Sequence, residues 1–165
     1  MTMTSEQTAR ATKFAAAIVA ALAMGACAKT PDPNAAGAGG AATPGSVQDF
    51  AQNVGDRVFF ESDSSELTST AQATLDKQAA WLARYGSYSF TVEGHADERG
   101  TREYNFALGA RRAESVKSYL SARGVAAGRM RTTSFGKERP VAVCNDISCW
   151  SQNRRAVTVL AGASS

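Results

Sequence analysis

The residues with chemical capacity concentrate in one stretch, GHADERGTREYN at positions 94–105, which holds five formal charges and the chain's only histidine. It follows YSFTVEG (88–94), in which Tyr88, Phe90 and Val92 alternate as one face of a half-buried strand. Asp97 stands just beyond that strand. Thr101 has the side chain of a helix N-cap, so backbone N–H groups without helical partners belong close to this turn. Arg112 lies fifteen positions after Asp97. On a helix starting at Thr101 it sits roughly 16 Å along the axis, with a side chain that leans back toward the N-terminus. A carboxylate and a guanidinium facing one groove suit a zwitterion, Asp97 taking an ammonium and Arg112 a carboxylate as a bidentate pair. The free end of diaminopimelate presents both groups on one carbon. The same spacing also allows Asp97 and Arg112 to pair with each other or with solvent, and spacing alone leaves both readings open.

Other chemistry fits less well. His95, at a strand end, reads as a hydrogen-bonded structural residue. One histidine with the neighbouring Cys144 and Cys149 does not supply the three or four ligands a zinc site needs, so neither metal nor cofactor is expected. A glycosidase would require two carboxylates about 5 to 9.5 Å apart, one of raised pKa. Glu61, Asp63, Glu93, Asp97 and Glu98 are the candidates for such a pair. No nucleophile elbow accompanies them, and the expectation is a binding domain rather than an enzyme.

The elements that must position these residues are legible from periodicity. RVFF (57–60) is a short strand leading into the polar loop ESDSSEL (61–67). Thr68 caps a helix carrying Leu75, Ala79 and Leu82 at helical spacing, with Trp81 in the core, and Gly86 ends it. A second helix runs from Thr101 to Arg123, with Ala113, Val116 and Leu120 on one stripe and Gly124 after it. RMRTTSF (129–135) and RRAVTVL (154–160) are further strands; the long loop between them holds Pro140, both cysteines and Trp150, which can cover the loop against the sheet. The pair Arg154 and Arg155 flanks the last strand, with no spacing that argues for binding. The order β-α-β-α-β-β predicts an α/β (α+β sandwich) domain, its helices on one face of a mixed four-stranded sheet.

Around this domain the composition changes. Arg10 and Lys13 precede FAAAIVAALAMGA (14–26), the positive and apolar regions of a secretory signal peptide covering residues 1–26. No apolar stretch reaches the roughly 20 residues that span a bilayer. Gly25 and Ala26 before Cys27 resemble the lipobox of bacterial lipoproteins, with Met24 where leucine is preferred. That resemblance implies cleavage and acylation at Cys27, and Ala28, rather than aspartate, after it implies the outer membrane. An ordinary cleaved signal with a chance cysteine is the alternative. Residues 27–46 hold three of the four prolines among alanines and glycines, and read as a flexible tether to a folded part at 47–165. The chain carries 18 Lys and Arg against 15 Asp and Glu. Without Arg10, Lys13 and Glu6 the balance is +2, too weak to indicate nucleic acid.

The run VEGHADERGTREYNFALGARRAESVKSYLSARGV (92–125), with FGKERP (135–140) and WSQNRRAV (150–157), resembles the OmpA-like domain family, in particular its peptidoglycan-associated lipoproteins. The resemblance covers about residues 56 to 160. It implies non-covalent binding of peptidoglycan through the diaminopimelate of its stem peptide, with Asp97 and Arg112 as the motif's aspartate and arginine. Arg99, Asn105 and Leu108 fall on positions like ligand-contacting ones, Leu108 as an apolar wall and Asn105 ordering the loop or bonding the peptide. Asp63 matches a family aspartate near the same pocket, although Ser62 stands where many relatives carry an aromatic. The resemblance also implies TolB and other Tol proteins as partners in the Tol–Pal system, and a periplasmic head anchored by acyl chains on Cys27. In that oxidising compartment a disulfide between Cys144 and Cys149 is expected, a reduced pair being the alternative.

Overall fold

The computed structural model describes residues 42–161. The signal segment, Cys27 and most of the tether lie outside the described residues. The chain enters through a turn of helix, α1 (Val47–Asp49), continued by a wide π-helical turn at Phe50–Gly55. Then come β1 (Arg57–Phe59), α2 (Ser69–Arg84), β2 (Phe90–His95), α3 (Arg102–Ala122), β3 (Met130–Gly136), α4 (Ile147–Asn153) and β4 (Arg155–Leu160). The sheet order is β1-β4-β2-β3, with β2 and β3 parallel and the other two pairings antiparallel. The expected mixed sheet is present.

Side-chain alternation decides which face is covered. Val58, Phe90, Val92, Ala156 and Leu160 turn to the helices and meet Leu75, Ala79 and Leu82 of α2 and Ala113, Val116 and Leu120 of α3. Thr91, Glu93, Val157 and Val159, one residue out of phase, stay half-exposed on the opposite face. Each fully buried Leu or Val here contributes roughly 1.5–3 kcal/mol. The two long helices begin where the sequence predicts. The Thr68 hydroxyl accepts from the Ala71 amide, and the Thr101 hydroxyl accepts from the Tyr104 amide.

Two departures from the sequence reading matter. The chain joins the fold earlier than residue 47. The Gly45 amide donates to Asp49, its carbonyl accepts from the Tyr88 hydroxyl at 2.9 Å, and Ser46 caps α1. The segment read as an uninterrupted long loop contains α4, capped by Asp146, whose carboxylate accepts from the Ser148 amide. A seven-residue helix lies below the length at which local periodicity speaks. The Cys144–Cys149 disulfide joins its first turn to the preceding loop.

Helix α3 approaches β2 closely because glycines meet at the crossing. A Cβ on Gly94 would fall 1.8 Å from the Gly109 carbonyl oxygen, and one on Gly109 would fall 2.4 Å from the Ser134 hydroxyl. One residue later the β2–β3 register shifts between Gly94 and His95. Such a bulge re-aims the residues beyond it, here Ala96 and Asp97.

Candidate functional site

Beyond the bulge an open cavity of about 220 Å³ is lined by Ser62, Asp63, Asp97, Arg99, Gly100, Tyr104, Asn105 and Leu108. Five of the six residues expected to bind, from three separate parts of the chain, therefore share one cavity. Leu108 is buried and gives the apolar wall. Asn105 is also buried, and its side-chain amide donates to the Arg99 carbonyl at 2.7 Å, so it orders the turn. Asp63 adopts a left-handed backbone, φ 57°, which aspartate tolerates, and its carboxylate accepts from the Tyr104 hydroxyl.

Arg112, the sixth, does not line the cavity. It is fully buried and stacks on Phe60, its guanidinium carbon 5.1 Å from the ring centre. Nε donates to the Ser64 carbonyl at 2.8 Å, Nη1 to the His95 carbonyl at 2.8 Å and Nη2 to the Glu61 carbonyl at 3.2 Å. The expected groove with Asp97 and Arg112 as its two open ends is therefore revised. Arg112 lies in the protein interior and ties the 61–64 loop to the end of β2. Three of its five N–H groups are committed, leaving one on each terminal nitrogen. Burial lowers its pKa to about 10, against the opposing pull of Asp97, so it remains a cation at neutral pH.

Asp97 pairs with other arginines. Arg99 donates from Nε to Oδ1 at 3.1 Å, from Nη2 to Oδ2 at 2.7 Å and from its backbone amide to Oδ1 at 3.2 Å. Arg154 approaches Oδ2 at 3.5 Å while its Nε donates to the Phe60 carbonyl at 3.0 Å. Burial pushes the Asp97 carboxyl up, but the hydrogen bonds and charge of Arg99, with help from Arg154, outweigh it and hold the group below the usual carboxylate range. That direction is wrong for the general acid of a glycosidase. Of the other carboxylates of that alternative, Asp63 shares the cavity and accepts from the Tyr104 hydroxyl, while two point away from it. Glu98 accepts from the Trp150 indole, and Glu93 sits on the open sheet face beside His95.

Three contributors escaped the sequence reading. Arg154 reaches Asp97 across 57 positions, a contact no local pattern announces. Trp150 has a role at the site that its sequence position did not indicate; its ring lies under the Arg99 guanidinium, 4.3 Å from centre to Cζ. Tyr104 is four residues before Leu108 on one helix face, and that spacing was the signal that could have found it. His95, read as a hydrogen-bonded structural residue, is buried, but neither ring nitrogen has a hydrogen-bond partner in the protein. Among the described residues no three His, Cys, Asp or Glu side chains converge to hold a metal ion. Among them, too, no helix is long and apolar enough to cross a membrane.

Comparison with known proteins bears on the family and the fold. The OmpA family model matches residues 59–154. The peptidoglycan-associated lipoprotein of Rhizobium meliloti (strain 1021) is 66% identical over 154 residues, 90% of this chain and 88% of that protein. That of Pseudomonas aeruginosa is 48% identical over 126 residues, 75% of this chain and 74% of that one. The crystal structure of the peptidoglycan-associated lipoprotein from Burkholderia pseudomallei has a TM-score of 0.62 at 43% identity, covering 64% of this chain and 89% of that one. The C-terminal domain of Helicobacter pylori MotB, 20% identical, has a TM-score of 0.60 over 64% of this chain and 84% of its own, a likeness of fold alone. A family match over more than half of the chain, together with these relatives, establishes that the chain belongs to the OmpA family.

Proposed function

We propose that this protein is an outer-membrane lipoprotein whose periplasmic head binds peptidoglycan non-covalently, holding the membrane to the wall. The observation that carries the reading is the cavity at the end of β2, with Asp97 kept ionised at its floor and Leu108 as its apolar side. The names of its relatives, associated with peptidoglycan, point the same way. The ligand is the diaminopimelate end of a stem peptide. Asp97 receives its ammonium, Leu108 meets its methylene chain, and Asp63, Arg99 and Asn105 line the approach. Arg112 supplies positive charge from the interior and holds the 61–64 loop that carries Asp63. Acyl chains on Cys27 are the anchor, and TolB with other Tol proteins are the protein partners in a Tol–Pal system that supports envelope integrity and constriction at division.

A sacculus pull-down with the intact protein in detergent tests this reading. The wild type sediments with sacculi and free diaminopimelate releases it, whereas a folded Asp97→Ala variant stays in the supernatant. Equal sedimentation of the two would remove the site from this function.

A further inference from the structure

The Asp97 carboxylate is not vacant. Arg99 holds both of its oxygens, and the two arginines differ in access: the Arg99 side chain is 44% exposed, that of Arg154 only 6%. A cation arriving from solvent must therefore enter where Arg99 sits. Arg99 has somewhere to turn, because its guanidinium lies on the face of Trp150 and Nη2 also donates to the Ser62 hydroxyl at 2.8 Å. Trp150 is itself fixed through its indole N–H by Glu98.

The turn has no spare anion for a displaced Arg99. Asp63 accepts from Tyr104 and Glu98 from Trp150, while Arg112, Arg154 and Lys137, whose ammonium donates to the Glu98 and Gly100 carbonyls, are further cations close by. A simple amine that displaced Arg99 would leave one unbalanced positive charge and gain one ion pair for the one it broke. A zwitterion restores the balance, because its carboxylate receives the guanidinium that its ammonium expels. One pair is then exchanged for two.

We propose that Arg99 is the specificity-determining residue of the site, a built-in cation that occupies the ammonium position on Asp97 and transfers to the ligand's carboxylate when a zwitterionic amino-acid end binds. Trp150 is the positioning residue, the surface over which the guanidinium turns. The proposal rests on the reading that the cavity at Asp97 is the ligand site.

Two stem tripeptides, N-acetylated and C-amidated, test it: one carries meso-diaminopimelate at the third position and the other lysine, so the pair differs by one carboxylate. Titration calorimetry on the intact protein should give the diaminopimelate peptide at least a tenfold advantage, about the effect of one charge-assisted pair. In Arg99→Ala and Arg99→Gln the diaminopimelate peptide weakens and the lysine peptide does not, and the ratio falls to within about threefold. Trp150→Leu lowers the ratio part of the way with no loss of lysine-peptide binding. Full discrimination in both Arg99 variants would overturn the inference and leave the ligand site standing. Undiminished binding of the diaminopimelate peptide by Asp97→Ala, or no binding of either peptide by the wild type, would overturn both.

Discussion

The Arg112 guanidinium holds the His95 carbonyl oxygen at 2.8 Å, two residues before Asp97. Its other two bonds hold the Glu61 and Ser64 carbonyls on the loop that carries Asp63. One buried side chain thus sets the separation of the cavity's two aspartates, and removing it takes a donor from three carbonyls, of which that of Glu61 keeps the Ser64 amide at 3.3 Å. We expect Arg112→Ala to cost roughly 3–5 kcal/mol of stability, the penalty for stranding buried polar groups, seen as a lower urea midpoint. Arg112→Lys, with one compact ammonium on a similar stem, should recover less than half of that loss while remaining a cation. Sacculus binding that survives intact in a folded Arg112→Ala variant would show that this residue does not shape the cavity.

The crossing of Gly94 and Gly109 governs how close α3, with Tyr104, Asn105 and Leu108, stands to the strand that leads to Asp97. Gly94→Ala places a methyl within 1.8 Å of a backbone oxygen, where no side-chain rotation relieves it. The helix must move, at an expected cost of about 3 kcal/mol, the upper part of the usual overpacking range. Thermal unfolding reads the loss, and peptide titration reads a widened cavity as weaker binding. A variant of unchanged midpoint and affinity would refute the close-packing argument.

Reduction should act locally. The disulfide encloses few residues, and the chain-entropy relation gives such a short loop about 2 kcal/mol. It staples α4, whose Trp150 carries Arg99 and whose last residue, Asn153, precedes Arg154 and bonds the 141–142 backbone. Cys144→Ser with Cys149→Ser should therefore lower stability by about that amount and redden Trp150 emission, while Trp81, buried against Phe50, stays unchanged. Single-tryptophan variants separate the two signals. Emission of Trp150 insensitive to the cysteine changes would detach α4 from the disulfide.

His95 predicts a pH dependence. Its ring packs on Phe135 of β3 with Glu93 of its own strand 3.7 Å from Nε2, Arg155 of β4 and Arg139 of the following loop nearby. Burial, aided by Arg155 and Arg139, lowers its pKa from 6.5 to about 4. Between those values the unfolded chain binds the proton and the folded chain does not, so stability falls as pH drops from about 6.5 toward 4. The contribution reaches at most about 3 kcal/mol. His95→Leu should flatten the urea midpoint across that interval. An unaltered slope would place the titration on other groups.

Much of this molecule is determined by short-range pattern. Alternation at Phe90 and Val92, helical spacing at Leu75, Ala79 and Leu82, the caps Thr68 and Thr101, and the arresting Gly124 each depend on residues within one or two turns. They suffice for the two long helices and the four strands but not for α4. Asp63, Arg99, Asn105 and Leu108 are named by the resemblance of their motifs to the OmpA-like family, and no local pattern by itself brings them to one end of the sheet. What only the tertiary structure decides is which charge meets which. An arginine is satisfied by carbonyl oxygens as readily as by a carboxylate, so the spacing of Asp97 and Arg112 does not reveal that Arg112 turns inward to Glu61, Ser64 and His95. Nor does it reveal that Asp97 is instead held by its neighbour Arg99 and by Arg154 from the far end of the chain. Those pairings arise because antiparallel β4 enters beside β2, a long-range event that delivers α4, Trp150 and Arg154 to a turn more than fifty residues away.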